Sequence, residues 1–117
     1  MDDPSVDHDA DASGPLGTRL RVGTIRSCVP NPRARRPAYV LKVDLGSHGL
    51  RTSSAQLTGN HQPGDLIGRQ VIVATDLGVK RIAGVDSEVL VLGLEAEDHS
   101  IVLLGPDRPV PNGGLVQ

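Results

Sequence analysis

The chain has 117 residues, enough for one domain with one core and too few for two. It holds no Phe, no Trp and a single tyrosine, so branched aliphatic side chains must do nearly all the packing, which favours strands. Formal net charge is −2, yet five of the 14 acidic residues (Asp2, Asp3, Asp7, Asp9, Asp11) precede the first basic one. The rest of the chain is therefore basic by about three charges, which permits a phosphate-bearing partner without demanding one.

The first segment, MDDPSVDHDADASGP, lacks the basic and apolar blocks of a signal peptide. Residues 1–17 are expected to form a disordered acidic leader ahead of one domain spanning 18–117. No apolar run approaches the roughly 20 residues of a membrane span, so the expectation is a cytoplasmic protein. From Leu20 the pattern changes. LRVGTIRSCV predicts a strand, with Gly23 as a bulge or bend. Cys28 lies in this strand; a lone cysteine excludes an intramolecular disulfide, and its apolar setting predicts an inert buried thiol. VPNPRARRP then stops the strand with three prolines and groups Arg33, Arg35 and Arg36 in a stiff loop.

AYVLKVDL alternates, with Tyr39, Leu41, Val43 and Leu45 on the core face and Lys42 pointing outward. GSHG turns the chain into LRTSSAQL, a strand too polar to be simple core filling. TGNHQPGDLIG reads as a connector with a short helix or turn near Pro63–Ile67. RQVIVATDL predicts a fourth strand and SEVLVLGLE a fifth, with Val89–Leu92 apolar enough to be buried on both faces. EAEDHS is an acidic turn, followed by SIVLLG and a tail rich in proline and glycine. Five strands with a helix between the third and fourth predict an all-β, OB-fold barrel. Such a barrel does not need the further apolar strand IVLLG, which a partner could cover.

Nothing in the chain predicts an enzyme: it has no glycine-rich phosphate loop, no metal-spaced His/Cys cluster and no nucleophile beside a base. Catalytic residues, metal ligands and cofactors are expected to be none. His48, His61 and His99 fall in predicted turns, where solvent exposure is the default.

Five segments occur in one order: RVGTI (21–25), PRARRPAY (32–39), SSAQLT (53–58), IAGVDSEVLVLG (82–93) and VLLGPDRPVPNG (102–113). Together they resemble the tRNA-binding domain family, most closely its free-standing CsaA-type members, secretion chaperones that also bind tRNA. The resemblance implies an OB barrel, a homodimer with Ile101–Leu115 in the subunit contact, and tRNA as partner. It also implies a ligand face around Ser53, Ser54 and Gln56, with the Ser87–Glu88 pair beside it. The chain departs from the family pattern where aromatics are usual: Thr75–Gly78, Val85 and Leu45 replace residues that help line a groove.

Hydroxyls and primary amides both donate and accept, so Ser53, Ser54 and Gln56 suit base edges, ribose hydroxyls or peptide groups. Ser53 is out of phase with Ser54 and Gln56, however, and serine hydroxyls also satisfy backbone groups at strand distortions. Arg33, Arg35, Arg36, Lys42, Arg51, Lys80 and Arg81 adjoin that strand in the OB order, and guanidinium forks suit phosphate oxygens. With one tyrosine, in the core phase, base stacking has a thin platform. The expected function is non-catalytic tRNA binding that reads a folded RNA through the arginine patch beside the Ser/Gln strand. The alternative is a chaperone holding unfolded or exported polypeptides in a dimer groove. A third reading docks the acidic leader on a synthetase or ribosomal partner.

Overall fold

The computed structural model describes residues 17–117; the expected leader, up to residue 16, lies outside the described residues. The strands are β1 (Leu20–Pro30), β2 (Tyr39–Asp44), β3 (Leu50–Ala55), β4 (Gln70–Ala74), β5 (Lys80–Ile82), β6 (Val85–Ser87), β7 (Leu90–Val91), β8 (Gly93–Glu95) and β9 (Ile101–Leu103). A tight turn at Gly46–His48 links β2 to β3, and the helix α1 (Pro63–Leu66) lies between β3 and β4. An antiparallel sheet in the order β3-β2-β1-β4-β7 curls into a nearly closed five-stranded barrel. The order is that of an OB barrel, as the strand count and helix position predicted. Among the described residues no helix is long and apolar enough to cross a membrane.

The alternation in β2 is the clearest link from sequence to packing. Tyr39, Leu41 and Val43 are buried, Lys42 is exposed, and Leu45 just beyond the strand is buried as well. They meet Ile25, Leu57, Leu66, Val71, Val73 and Val89 in one core that contains a single ring. Tyr39 belongs there because its hydroxyl donates to the His61 carbonyl at 2.9 Å, so the polar end is satisfied. His61 differs from expectation. It is buried, with Nε2 2.8 Å from the Ile101 carbonyl oxygen, because its turn folds under β9 rather than into solvent. Cys28 is buried in the same core, and desolvation pushes its thiol pKa up.

The bulge in β1 falls at Arg26, between the pairs Ile25–Val43 and Ser27–Lys42, and not at Gly23. It turns Arg26 outward to Asp44, whose Oδ2 accepts from Nε and Nη2 at 3.1 and 3.0 Å, while Oδ1 accepts from the Gly46 N–H that starts the turn. Gly23 answers a different need. A Cβ there would lie 2.5 Å from Val43 Cγ1 and 2.7 Å from Leu45 Cδ2, so the missing side chain lets β2 cross close over β1.

The expected long fifth strand is broken into β6, β7 and β8, and Leu90 is exposed instead of buried on both faces. The cause is local. Ser87 and Glu88 turn their side chains onto β3, which interrupts the ladder before Leu90. β5 and β6 form a hairpin between the fourth strand and β7, Lys80 opposite Ser87 and Ile82 opposite Val85. β9 pairs with β8 rather than with the barrel.

The proline-rich tail completes the barrel at its first strand. β1 pairs with β2 only from Thr24 onward, which leaves one edge of residues 20–23 open. The tail fills that edge: Gly113 N–H donates to Val22 O at 2.7 Å, Val22 N–H to Gly114 O at 3.0 Å, and Val116 N–H to Leu20 O at 2.8 Å. Gln70 holds it further out, its amide bonding Val110 through both the carbonyl and the N–H.

Replacing Gly23 by Ala should destabilise the fold by about 1–3 kcal/mol through overpacking against Val43 and Leu45. Urea denaturation of the variant against the parent measures this; an unchanged midpoint would mean that the close crossing is not tight.

Candidate nucleic-acid interface

The barrel closes by side chains where strands fail to pair. Thr52 and Ser54 point their N–H groups away from β2, towards the segment Ser87–Val89. Glu88 Oε1 accepts from Thr52 N–H at 3.0 Å, and Ser87 Oγ accepts from Ser54 N–H at 3.1 Å. In return, Thr52 O accepts from the N–H groups of Glu88 and Val89. Ser87 Oγ also donates to Val89 O at 3.0 Å, which fixes its own rotamer. Glu88 Oε2 lies 3.4 Å from Arg51 Nη1. Foremost the Thr52 N–H, then Arg51 and the nearby Lys42 charge, hold the Glu88 carboxyl below the ordinary glutamate value despite partial desolvation.

Ser87 and Glu88 therefore face the protein's own backbone. Ser53 is fully buried, opposite Leu41 in the core phase of β3. Ser54 and Gln56 take the other phase and remain accessible, Ser54 half-buried and Gln56 exposed. Past Ser54 the seam opens into a cleft of about 570 Å³, where Arg36, Ser54 and Gln56 share walls with Leu90, Glu95 and His99. His99 Nδ1 lies 3.5 Å from Glu95 Oε2, and both side chains are exposed, as expected of His99 in a turn.

The arginine loop is held from one side. Asn31 is buried; its Oδ1 accepts from Arg33 N–H at 3.0 Å and its Nδ2 donates to Ala83 O at 3.3 Å. The loop thus leans on the tip of the β5–β6 hairpin, and Arg33 lies across Gly84, where a Cβ would come within 2.6 Å of Nη1. The signal for this was present as an asparagine between two prolines, a residue that bonds its own backbone two positions on. Arg33, Arg35 and Arg36 are exposed and meet no carboxylate among the described residues. Arg81 does, with Asp86 Oδ1 2.9 Å from Nη1, and Lys80 beside it is exposed. Lys42 donates to the Thr52 hydroxyl across the β2–β3 pair. Lys42 and Thr52 border a second hollow with Gly84, Val85 and Glu88.

Arg36 thus shares a cleft with Ser54 and Gln56, Arg33 lies on the hairpin tip that borders the hollow of Lys42, and Arg51 and Arg81 are tied to acids. A partly open antiparallel barrel in this strand order, with hydroxyl, amide and guanidinium groups around its second and third strands, is an OB-type module. Residues 20–114 match the family described as the putative tRNA binding domain, and the chain belongs to that family. The chain is 42% identical to a chaperone CsaA from Bacillus anthracis str. Ames, with a TM-score of 0.82 over 87% of this chain and 93% of that one. A CsaA chaperone protein from Picrophilus torridus is 38% identical, with a TM-score of 0.80 over 86% and 92%. A methionine–tRNA ligase of Methanococcoides burtonii is 38% identical over 83% of the chain, which spans only 14% of that enzyme's length.

Glu88→Gln should cost about 1 kcal/mol at neutral pH, since a charged acceptor is exchanged for a weaker one at a partly exposed seam. The sign with pH follows from the depressed carboxyl pKa. The contribution is complete above the ordinary glutamate value of about 4.3 and is lost as pH falls through the lower folded-state value. Denaturation of parent and variant at pH 7 and pH 3 should therefore show a gap that closes in acid; a gap that persists at pH 3 would remove the ionised carboxylate as its source.

Proposed function

We propose that this protein is a non-catalytic module that binds tRNA through the exposed arginine loop and the open part of the β3 seam. One observation carries the reading. Three arginines that meet no carboxylate among the described residues sit on a loop fixed by Asn31 and proline, Arg36 beside the accessible Ser54 and Gln56, in a chain of the tRNA-binding family. Guanidinium groups bind phosphate oxygens in bidentate pairs, and the hydroxyl and amide serve ribose hydroxyls or base edges. Lys42 and Lys80 extend the charge along the face. Ser53, Ser87, Glu88 and Arg51 act one step back, keeping β3 in position, and Arg81 is restrained by Asp86. With no Phe or Trp in the chain and Tyr39 buried in the core, binding depends on backbone and shape more than on base sequence.

Bulk tRNA titrated with the protein should bind with a steep salt dependence, because each neutralised phosphate releases counterion. Replacing Arg33, Arg35 and Arg36 together by alanine should lower the slope of log K against log salt by about 2–3 and weaken binding at least tenfold at low salt. An unchanged slope would remove the loop from the interface, and no binding by the parent at low salt would remove the reading.

The second reading, a chaperone that holds polypeptides, is favoured by the two CsaA neighbours and by an apolar surface on the β8–β9 hairpin. Leu94 and Val102 are opposite each other in that hairpin and both exposed, 59% and 47%. We place a homodimer contact here and along Ile101–Leu115, which would also frame a groove between subunits. Leu94→Glu with Val102→Glu should shift the protein to monomer in sedimentation analysis; a parent that is already monomeric would refute the contact.

A further inference from the structure

The barrel has a second feature that the RNA reading does not use: its interior ends in arginines. Side chains that point inward in a small barrel are expected to fill it with apolar layers. On β1 the inward phase runs Ile25, Gly23 and then Arg21, with Arg19 next in the same phase. On β3, the residue two before the fully buried Ser53 is Arg51. Just past β4, Thr75 follows Val71 and Val73 in the same phase. Above the last apolar layer, Leu45 and Val89, these polar residues surround a hollow of about 340 Å³ at the barrel mouth, with His48 on its rim. That is the size of a small-ligand site.

Among the described residues two carboxylates line this mouth, and the protein's own donors engage both. Asp76 accepts from the Thr18 hydroxyl and from Arg19 N–H, and Glu88 accepts from Thr52 N–H and Arg51. Arg21 donates Nη1 to the Gly113 carbonyl at 2.8 Å and meets no carboxylate among the described residues. That bond anchors one nitrogen of the fork and leaves the rest of the guanidinium at the hollow. Arg51 is similarly braced, its Nε donating to His48 O at 3.1 Å. Braced guanidinium groups lose little freedom when a ligand arrives, and their geometry matches tetrahedral oxyanions.

We propose that the barrel mouth is a phosphate site in which Arg21 and Arg51 grip the oxyanion, with Arg19 and His48 around it. The site is separate from the arginine loop and does not depend on the tRNA reading. The phosphate belongs either to a free phosphomonoester, such as a mononucleotide, or to a terminal phosphate of an RNA.

Titrating the ¹⁵N-labelled full chain with inorganic phosphate at constant ionic strength tests this directly. Saturable shifts confined to amides around the mouth, such as Thr75 and Gly113, are expected. Arg21→Gln should weaken them about tenfold or more, and Arg108→Ala should not. Because Arg21 also anchors the tail, Arg51→Gln serves as a second variant, read only if the Leu41 and Val43 amides keep their positions. Shifts that rise linearly with phosphate, or that are equal in the parent and both arginine variants, overturn the proposal. Two further arms separate the sources. A 5′-phosphorylated RNA that binds tighter than its 5′-hydroxyl twin, with the advantage lost in Arg21→Gln, assigns the site to RNA ends. Saturable binding of AMP with no such advantage assigns it to a free phosphomonoester. The triple variant of the loop arginines should lose tRNA and keep phosphate, so failure of one reading is distinguishable from failure of the other.

Discussion

The fold depends on how one open strand edge is satisfied. In a barrel of five strands, β3 must meet the last strand or leave its N–H and C=O groups without partners, each at a cost comparable to a lost hydrogen bond. Here β7 is too short to reach along β3. The carboxylate of Glu88 and the hydroxyl of Ser87 take the N–H groups of Thr52 and Ser54, and the Thr52 carbonyl takes two N–H groups in return. These bonds close half of the seam. The other half, beyond Ser54, stays open, and that opening is the cleft where Ser54, Gln56 and Arg36 meet.

The same economy of side chains shapes the core and its ends. With one ring available, the interior is built from Val, Leu and Ile in thin layers, and Gly23 lets two strands approach where a methyl group would already collide. Aliphatic layers cannot cover a barrel mouth as broadly as an aromatic side chain can. At one end α1 supplies Leu66 as a plug. At the other, arginines occupy the inward positions and their cost is met by carbonyl and carboxylate partners and by solvent. Closing the seam with a polar clip and ending the core with cations are two consequences of a composition poor in large apolar groups.

The arginine loop shows how fold and charge combine. Pro30, Pro32 and Pro37 stiffen the arginine loop, but its direction comes from Asn31, which ties it to the hairpin tip at Ala83. The hairpin itself is short, and its tip needs Gly84 because Arg33 lies across it. Arg36 thus becomes a neighbour of Ser54 and Gln56, which come from a different part of the barrel, while Arg33 lies on the hairpin tip. Arg51 and Arg81, equally basic in sequence, are drawn to Glu88 and Asp86.

The sequence by itself determined the local periodicity and hence the fold. Alternation in AYVLKVDL assigned the core face of β2, the proline-rich loop and the Pro63 helix fell where they were read, and the strand order pointed to an OB barrel. It also carried the family resemblance, in segments spread along nearly the whole domain. Tertiary structure alone decided what each polar residue faces. Periodicity put Ser53 and Ser54 on opposite sides of a strand, but only the approach of Ser87–Val89 made one hydroxyl core and turned Ser87 and Glu88 into backbone partners. His61 was buried by β9, forty residues away in the chain, and the bulge moved to Arg26 because Asp44 was there to receive it. A strand pattern records which face a side chain takes. The identity of the group across the gap belongs to distant segments, and it is that group that decides between a ligand contact and a structural bond.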